Sequence, residues 1–283
     1  MPETAQPTAG APEAAPMFAR ALCAVDGTQG SFDAVEQAAA LVGPGGHLTL
    51  LLVTSFRSEG EHRSPAIGPT QAKRILDQAA AIANDAGVLT DVEVDPAAPP
   101  AHVIVDWAAE HDLLAMGAPT TPWFGGMFTG GATVAALGSL PAPLLVGRPV
   151  PGEHHILVAS DGLDGSDQLV ELAGRLARAQ GSATTLLHAV GHESGVIRQR
   201  IDEQLGKLQA AAGATSDVLF EAGSPRTVIL ETAQAAGASL VVMSSRRLEG
   251  LRTIGSVSRR VVHKAHCSVL LVPPEYLQAK FSA

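Results

Sequence analysis

Ile156-Leu157-Val158-Ala159-Ser160-Asp161-Gly162-Leu163-Asp164-Gly165-Ser166 is an apolar run that ends in an Asp-Gly turn. Ala21-Leu22-Cys23-Ala24-Val25-Asp26-Gly27-Thr28-Gln29-Gly30-Ser31 has the same form. Five of the eight positions from Ala24 to Ser31 are identical to those from Ala159 to Ser166. An apolar run of this length fits a strand covered on both faces. A carboxylate at its carboxyl end, followed by a turn and a small polar N-cap (Ser31 or Ser166), is where open α/β sheets hold ligands.

Outward from these turns, the two halves of the chain read alike. In the first, strands are predicted at 18–25, 47–53, 88–94, 112–116 and 143–146, with helices at 31–42, 70–86, 101–110 and 130–140 between them. In the second, strands are predicted from Ile156 and at 183–190, 217–221, 239–243 and 269–272, with helices at 166–179, 196–212, 225–236 and 255–265. Pro-x-x-Val-Ile recurs at Pro100–Ile104 and Pro225–Ile229, and Met116 and Met243 both close a strand. Strict alternation of strand and helix gives parallel sheets with right-handed crossovers. The fold class is therefore α/β: two doubly wound, five-stranded parallel-sheet domains in tandem. The boundaries are 1–17 for a disordered Ala/Pro-rich tail, 18–147 for the first domain, 148–153 for a Pro/Gly linker and 154–275 for the second domain.

The bulk composition limits function. The net charge of −9 argues against a nucleic-acid surface, which needs a basic face. Two cysteines far apart in a 283-residue chain make no disulfide framework, so the expected setting is reducing and cytoplasmic. No apolar run reaches the roughly 20 residues of a membrane span, and the first residues lack the basic and apolar regions of a signal peptide. His154/His155, His188/His192 and His263/His266 form no metal-ligand constellation, and no Ser-His-Asp arrangement stands out.

At this point the residues carry a resemblance. Strand-Asp-Gly-x3-Ser, with Gly255-Ser256-Val257-Ser258-Arg259-Arg260-Val261-Val262-His263-Lys264-Ala265-His266-Cys267-Ser268-Val269-Leu270-Leu271-Val272, resembles the universal stress protein family. The chain looks like a tandem member, with both repeats within about 17–275. The resemblance implies non-enzymatic, cytoplasmic stress-response domains that dimerise through the last strand. Leu144–Val146 and Val269–Val272 would then form a seam, within one chain as an internal pseudo-dimer or in a homo-oligomer. Some members bind ATP through Gly-x2-Gly-x9-Gly-Ser/Thr after the fourth strand, with the first-strand Asp on the ribose; others lack the motif and do not.

Phosphate needs close backbone N–H groups, hence glycines, and a helix N-terminus. In the first repeat, Gly117-x2-Thr120-x9-Gly130-Gly131 keeps the length but loses the second glycine and the hydroxyl. Trp123, Phe124, Met127 and Phe128 make that loop apolar, either a contact surface or a loop tucked on its own domain. In the second repeat, Gly255-Ser256-Val257-Ser258 is intact, but Ser244 replaces the first glycine and Ser245 or Arg247 the second. The missing glycines weigh against ATP. Arginines such as Arg246 and Arg247 could take over anion binding, or form a solvated basic patch. Asp26 and Asp161 suit a ribose, or a turn cap through their own backbone.

The candidate adenine-nucleotide site is therefore Asp161, Gly162, Ala189, Val190, Ser244, Arg246, Arg247, Gly255, Ser256, Val257 and Ser258. The first-repeat counterpart is Asp26, Gly27, Val53, Gly117, Gly130 and Gly131. Two alternatives stand beside it. One is a ligand-free interaction module that acts on an unknown protein partner through Trp123–Phe128. The other is a nucleotide hydrolase, because Ser160–Ser166 superficially resembles the Ser-Gly-Gly-x-Asp-Ser loop of ATP pyrophosphatases.

Overall fold

The computed structural model describes residues 17–54, 67–97, 100–118, 142–150, 154–163, 165–190, 195–244 and 255–281. Predictions that fall on 1–16, on Arg246 and Arg247, on Trp123–Phe128, on the helix at 130–140 with Gly130 and Gly131, and on the linker residues 151–153 lie outside these.

The first repeat runs β1 (Arg20–Ala24), α1 (Gln29–Val42), β2 (His47–Val53), α2 (Pro69–Asp85), β3 (Leu89–Asp95), α3 (Pro100–Ala108), β4 (Leu113–Gly117) and β5 (Leu144–Gly147). The second runs β6 (His155–Ala159), α4 (Ser166–Gln180), β7 (Ala183–Val190), α5 (Gly195–Ala212), β8 (Asp217–Ala222), α6 (Pro225–Ala235), β9 (Leu240–Ser244), α7 (Ser256–Lys264) and β10 (Ser268–Val272). A further helix, α8 (Pro274–Phe281), follows.

The two five-stranded sheets are one ten-stranded sheet, ordered β3-β2-β1-β4-β5-β10-β9-β6-β7-β8. Within each repeat every pairing is parallel. At the seam β5 and β10 pair antiparallel, with Leu144 opposite Leu271, Leu145 opposite Leu270 and Val146 opposite Val269. The chain is thus a pseudo-dimer closed inside itself.

Strand alternation sorts the core into two layers. Ala21, Cys23, Leu50, Leu145, Val158, Leu186 and Leu270 face α1, α2, α4 and α5. Leu22, Leu51, Val146, Leu157, Leu187, Val241 and Val269 face α3, α6 and α7. Both layers run without a break through the two repeats. Burial on both sides explains why these strands are near-continuous apolar runs.

Two features depart from expectation. Ser31 is not the N-cap of α1. Asp26 Oδ1 accepts from Thr28 N (2.9 Å) and Thr28 Oγ1 (2.6 Å), which turns the chain early. Thr28 then caps the helix by accepting from Ser31 N, leaving Ser31 buried inside the first turn. In the second repeat Gly165 is the N-cap, with φ +88°, and Ser166 is the first helical residue.

The second feature is α8, which ties the two chain ends together. Leu277 is buried, the Tyr276 and Phe18 rings lie 6.4 Å apart, and Lys280 Nζ donates to Met17 O at 3.0 Å.

Candidate functional site

The strand order reverses between β6 and β9, since β6 connects outward to β7 while β9 lies on its other side. Such a switch point opens a crevice at the carboxyl ends of the strands. A cleft of about 500 Å³ lies there, within the size range of small-molecule sites.

One wall is the β6–α4 turn, with Ala159, Ser160, Asp161 and Ser166. The floor is the end of β7, with Leu187, His188 and Ala189. Pro225 and Ile229 of α6 and Met243 and Ser244 of β9 form another side, and Gly255, Ser256, Val257 and Ser258 open α7 on the cleft.

Seven of the residues singled out in the second repeat meet here: Asp161, Ala189, Ser244 and Gly255–Ser258. Gly162 does not line the cleft. It takes φ +70°, and a Cβ there would point back at Ile197 and Ile201 of α5. Val190 lies one place beyond the floor, with its carbonyl accepting from Gly223 N at 3.2 Å.

Sequence reading missed Ala159, Ser160, Ser166, Leu187, His188, Pro225, Ile229 and Met243 as lining residues. Pro225 and Met243 carried a signal, since each marks the same place in both halves. Ser160 and Ser166 read as the ends of a loop like that of ATP pyrophosphatases, not as lining residues.

The turn is held by hydrogen bonds. Asp161 Oδ1 accepts from Leu163 N and from Ser166 Oγ, both at 2.9 Å, so this carboxylate caps its own turn while it lines the cleft. Behind it, Ser160 Oγ accepts from Gly162 N (3.1 Å) and donates to Gln204 Oε1 (2.6 Å). Gln204, 0% exposed, donates to Asp167 Oδ1 at 3.0 Å, and Lys207 Nζ pairs with Asp167 Oδ2. A buried polar group is tolerated when fully bonded, and this chain joins the turn to α5.

His188 Nδ1 lies 3.0 Å from Ser160 O. A carbonyl only accepts, so Nδ1 carries the proton. Gly255, which also lines the cleft, gives no side-chain cap to α7. The first N–H groups of this helix therefore have no capping side chain from their own N-cap residue, and the dipole adds partial positive charge. Arg259 and Arg260 follow in the same helix.

Burial acts against several ionisable groups nearby. Burial, then Arg259, Arg148 and Lys264, hold His263 below its ordinary value. Burial pushes the Cys267 thiol up to about 11, with Arg148 opposing. Among the described residues, no cluster of three or more His, Cys, Asp or Glu side chains is placed to hold a metal ion. No helix among them is long and apolar enough to cross a membrane.

The corresponding place in the first repeat is built differently. By register, Gly117 occupies the position of Ser244, since Ala24 pairs with Met116 as Ala159 pairs with Met243. A Cβ at Gly117 would lie 2.5 Å from the Gly30 carbonyl and 2.7 Å from Ser31 N. The first turn of α1 is therefore packed directly on the end of β4, where the second repeat has room for a serine side chain. Asp26 is bound to Thr28, Gly27 takes φ +83° against Ile75, and Val53 is buried in the core.

Comparison with known proteins agrees with this architecture. The chain is 31% identical over 146 residues to the universal stress protein YxiE of Bacillus subtilis (strain 168), covering 98% of that protein and 42% of this chain. The crystal structure of a universal stress protein from Archaeoglobus fulgidus DSM 4304 superposes with a TM-score of 0.70 at 20% identity, over 91% of this chain and 99% of that one. The cytoplasmic domain of a prokaryotic cation chloride cotransporter shares the fold at 11% identity, with a TM-score of 0.61 over 92% of this chain and 99% of that one. The model of the Universal stress protein family matches twice, at residues 17–148 and 153–273. With both halves matched in turn, the chain belongs to the universal stress protein family as a tandem member.

Proposed function

We propose that this chain is a regulatory stress-response protein of the cytoplasm, without turnover, that holds an adenine nucleotide in its second repeat. The observation that supports this reading is the cleft itself, which brings a turn carboxylate, Asp161, and the start of a helix, Gly255–Ser258, to one space of about 500 Å³.

Each residue has a role suited to its chemistry. Asp161 accepts from ribose hydroxyls alongside its turn bonds, since a carboxylate has about four acceptor sites. Leu187, Ala189, Ile229 and Met243 offer an apolar slot for a flat base. The N–H groups of Ser256, Val257 and Ser258, with the Ser256 and Ser258 hydroxyls, receive phosphate oxygens. Arg246 and Arg247, which follow Ser244 closely in the sequence, add positive charge for the phosphates. The β5–β10 seam meets inside one chain the pairing need that would otherwise call for a second copy.

Isothermal titration calorimetry with ATP, ADP and AMP tests the reading. Saturable heat with at least one of them is expected, and no heat with any at millimolar ligand overturns it. A mass spectrum of the protein as purified gives an independent check, through a co-purifying nucleotide.

A further inference from the structure

The two repeats differ at the outer edges of the sheet. In the first, Trp107 of α3 is half-buried against the core, and its indole Nε1 donates to Asp95 Oδ2 of β3 at 3.1 Å. The strand registers and helix starts identify the counterparts. Val53 pairs with Asp95 as Ala189 pairs with Glu221, so Glu221 stands where Asp95 does. Pro100 and Pro225 open α3 and α6, so Thr232 stands where Trp107 does.

The second repeat thus keeps the carboxylate and lacks the ring. An open groove of about 450 Å³ lies between β8 and α6 at that place. Leu219, Val228, Thr232 and Ala236 line it, with Glu221 and Glu231, and none of its described lining residues is basic. The groove flanks β8, an edge strand of the ten-stranded sheet.

We infer that the β8–α6 groove binds a tryptophan side chain presented by a basic segment of a partner polypeptide. The ring lies over Leu219 and Val228, its N–H donates to Glu221 as Trp107 donates to Asp95, and flanking basic residues meet Glu231. An indole suits such a half-open slot because it is a large apolar body with one obligatory donor. The two carboxylates supply the charge complementarity that selects basic neighbours.

The test uses the full-length isotope-labelled protein and the peptide acetyl-Lys-Trp-Lys-amide, with acetyl-Lys-Phe-Lys-amide as control. Saturable shifts of the Glu221 and Thr232 amide resonances are expected with the tryptophan peptide. The phenylalanine peptide should bind about tenfold more weakly, since it lacks a hydrogen bond to a charged group. Thr232→Trp should fill the groove as in the first repeat and abolish binding, with circular dichroism unchanged. Should that variant misfold, Glu221→Ala at an exposed position should weaken binding about tenfold. Absence of saturable shifts, equal affinity for the two peptides, or undiminished binding by both variants overturns the inference. So does binding of free indole without binding of the peptide, which would assign the groove to a small molecule.

Discussion

Val146 and Val269 face each other across the one antiparallel pair among the described strands. Beside them Leu145 and Leu270 face each other as well, and all four are 0% exposed. The valines point into one core layer and the leucines into the other, so the seam feeds both. Among the described residues the two core layers run through the seam from one repeat to the other, so the repeats should melt together. Leu270→Ala should cost about 3 kcal/mol through the lost methyl groups and the cavity left behind. Scanning calorimetry should show one transition in both proteins, shifted down in the variant. Two resolved transitions in the parent would show that the repeats unfold separately.

Asp161 and Asp26 occupy equivalent turns, and both are engaged by their own backbone. Asp161 also lines the cleft of the second repeat. Removing either should loosen its turn by about 1 kcal/mol, the worth of a local cap. Their effects on ligand should differ. Asp161→Ala should weaken ATP about tenfold or more, through loss of hydrogen bonds to a charged acceptor, while Asp26→Ala leaves the affinity unchanged. Parallel titrations of the two variants decide the matter, and equal affinities would remove Asp161 from the site.

The strands were legible because parallel strands covered on both faces leave an unambiguous apolar signature, as at His47–Val53 and Ala183–Val190. The seam was legible through the family resemblance rather than through any property of Leu144–Val146 itself. Helix α8 was not legible. Its eight residues bury Leu277 alone, and its contacts reach Met17 and Phe18 at the opposite end of the chain. Gln204 was equally hidden, because one glutamine in a helix that also carries Gln199 and Gln209 reads as part of a wet face. Tertiary packing alone selects it for burial against Ser160. The N-cap was misplaced because Ser31 and Thr28 have the same chemistry, and the Asp26 side chain chose between them.

The chain from Ser160 through Gln204 ends at Asp167, on the rim of α4. Burial pushes the Asp167 carboxyl upward, but hydrogen bonds from Lys207 and Gln204 and the charges of Lys207 and Arg200 outweigh it, holding the group below its ordinary value. A carboxyl depressed in the folded state stabilises the protein above its unfolded pKa, and that contribution is lost as pH falls through the folded value. The Asp167 side chain is 32% exposed and the Lys207 side chain 49%, so the gain at neutral pH is under about 1 kcal/mol. Asp167→Asn should therefore be slightly less stable than the parent at pH 7, with the gap closing below the ordinary carboxylate range. Urea unfolding at several pH values measures it. A gap that stays constant into acid would mean that packing, and not ionisation, sets the effect.

Cys23 and Cys267 are both buried free thiols, 0% and 2% exposed. Burial, helped by Asp26, raises Cys23 well above its ordinary value, and burial raises Cys267 to about 11 against the pull of Arg148. A thiol whose folded pKa is raised favours folding fully below its unfolded pKa, and that contribution is lost as pH rises toward the folded value. Stability should thus decline from the ordinary thiol range upward, and Cys267→Ala should flatten part of that decline. At pH 8 Cys267 is overwhelmingly the thiol in the native state, so alkylation should be slow and should proceed through opened molecules. Arg148 should govern the opening. Its Nη1 donates to Cys267 O at 3.2 Å and its Nη2 to Val262 O, so the guanidinium holds the end of α7 to the start of β10. Arg148→Met leaves both carbonyls without this donor and should cost about 2 kcal/mol. Alkylation of Cys267 should then accelerate in proportion to the larger open population, about thirtyfold at that cost. An unchanged rate in Arg148→Met would mean that the thiol reacts from within the folded state and that this clamp does not govern its exposure.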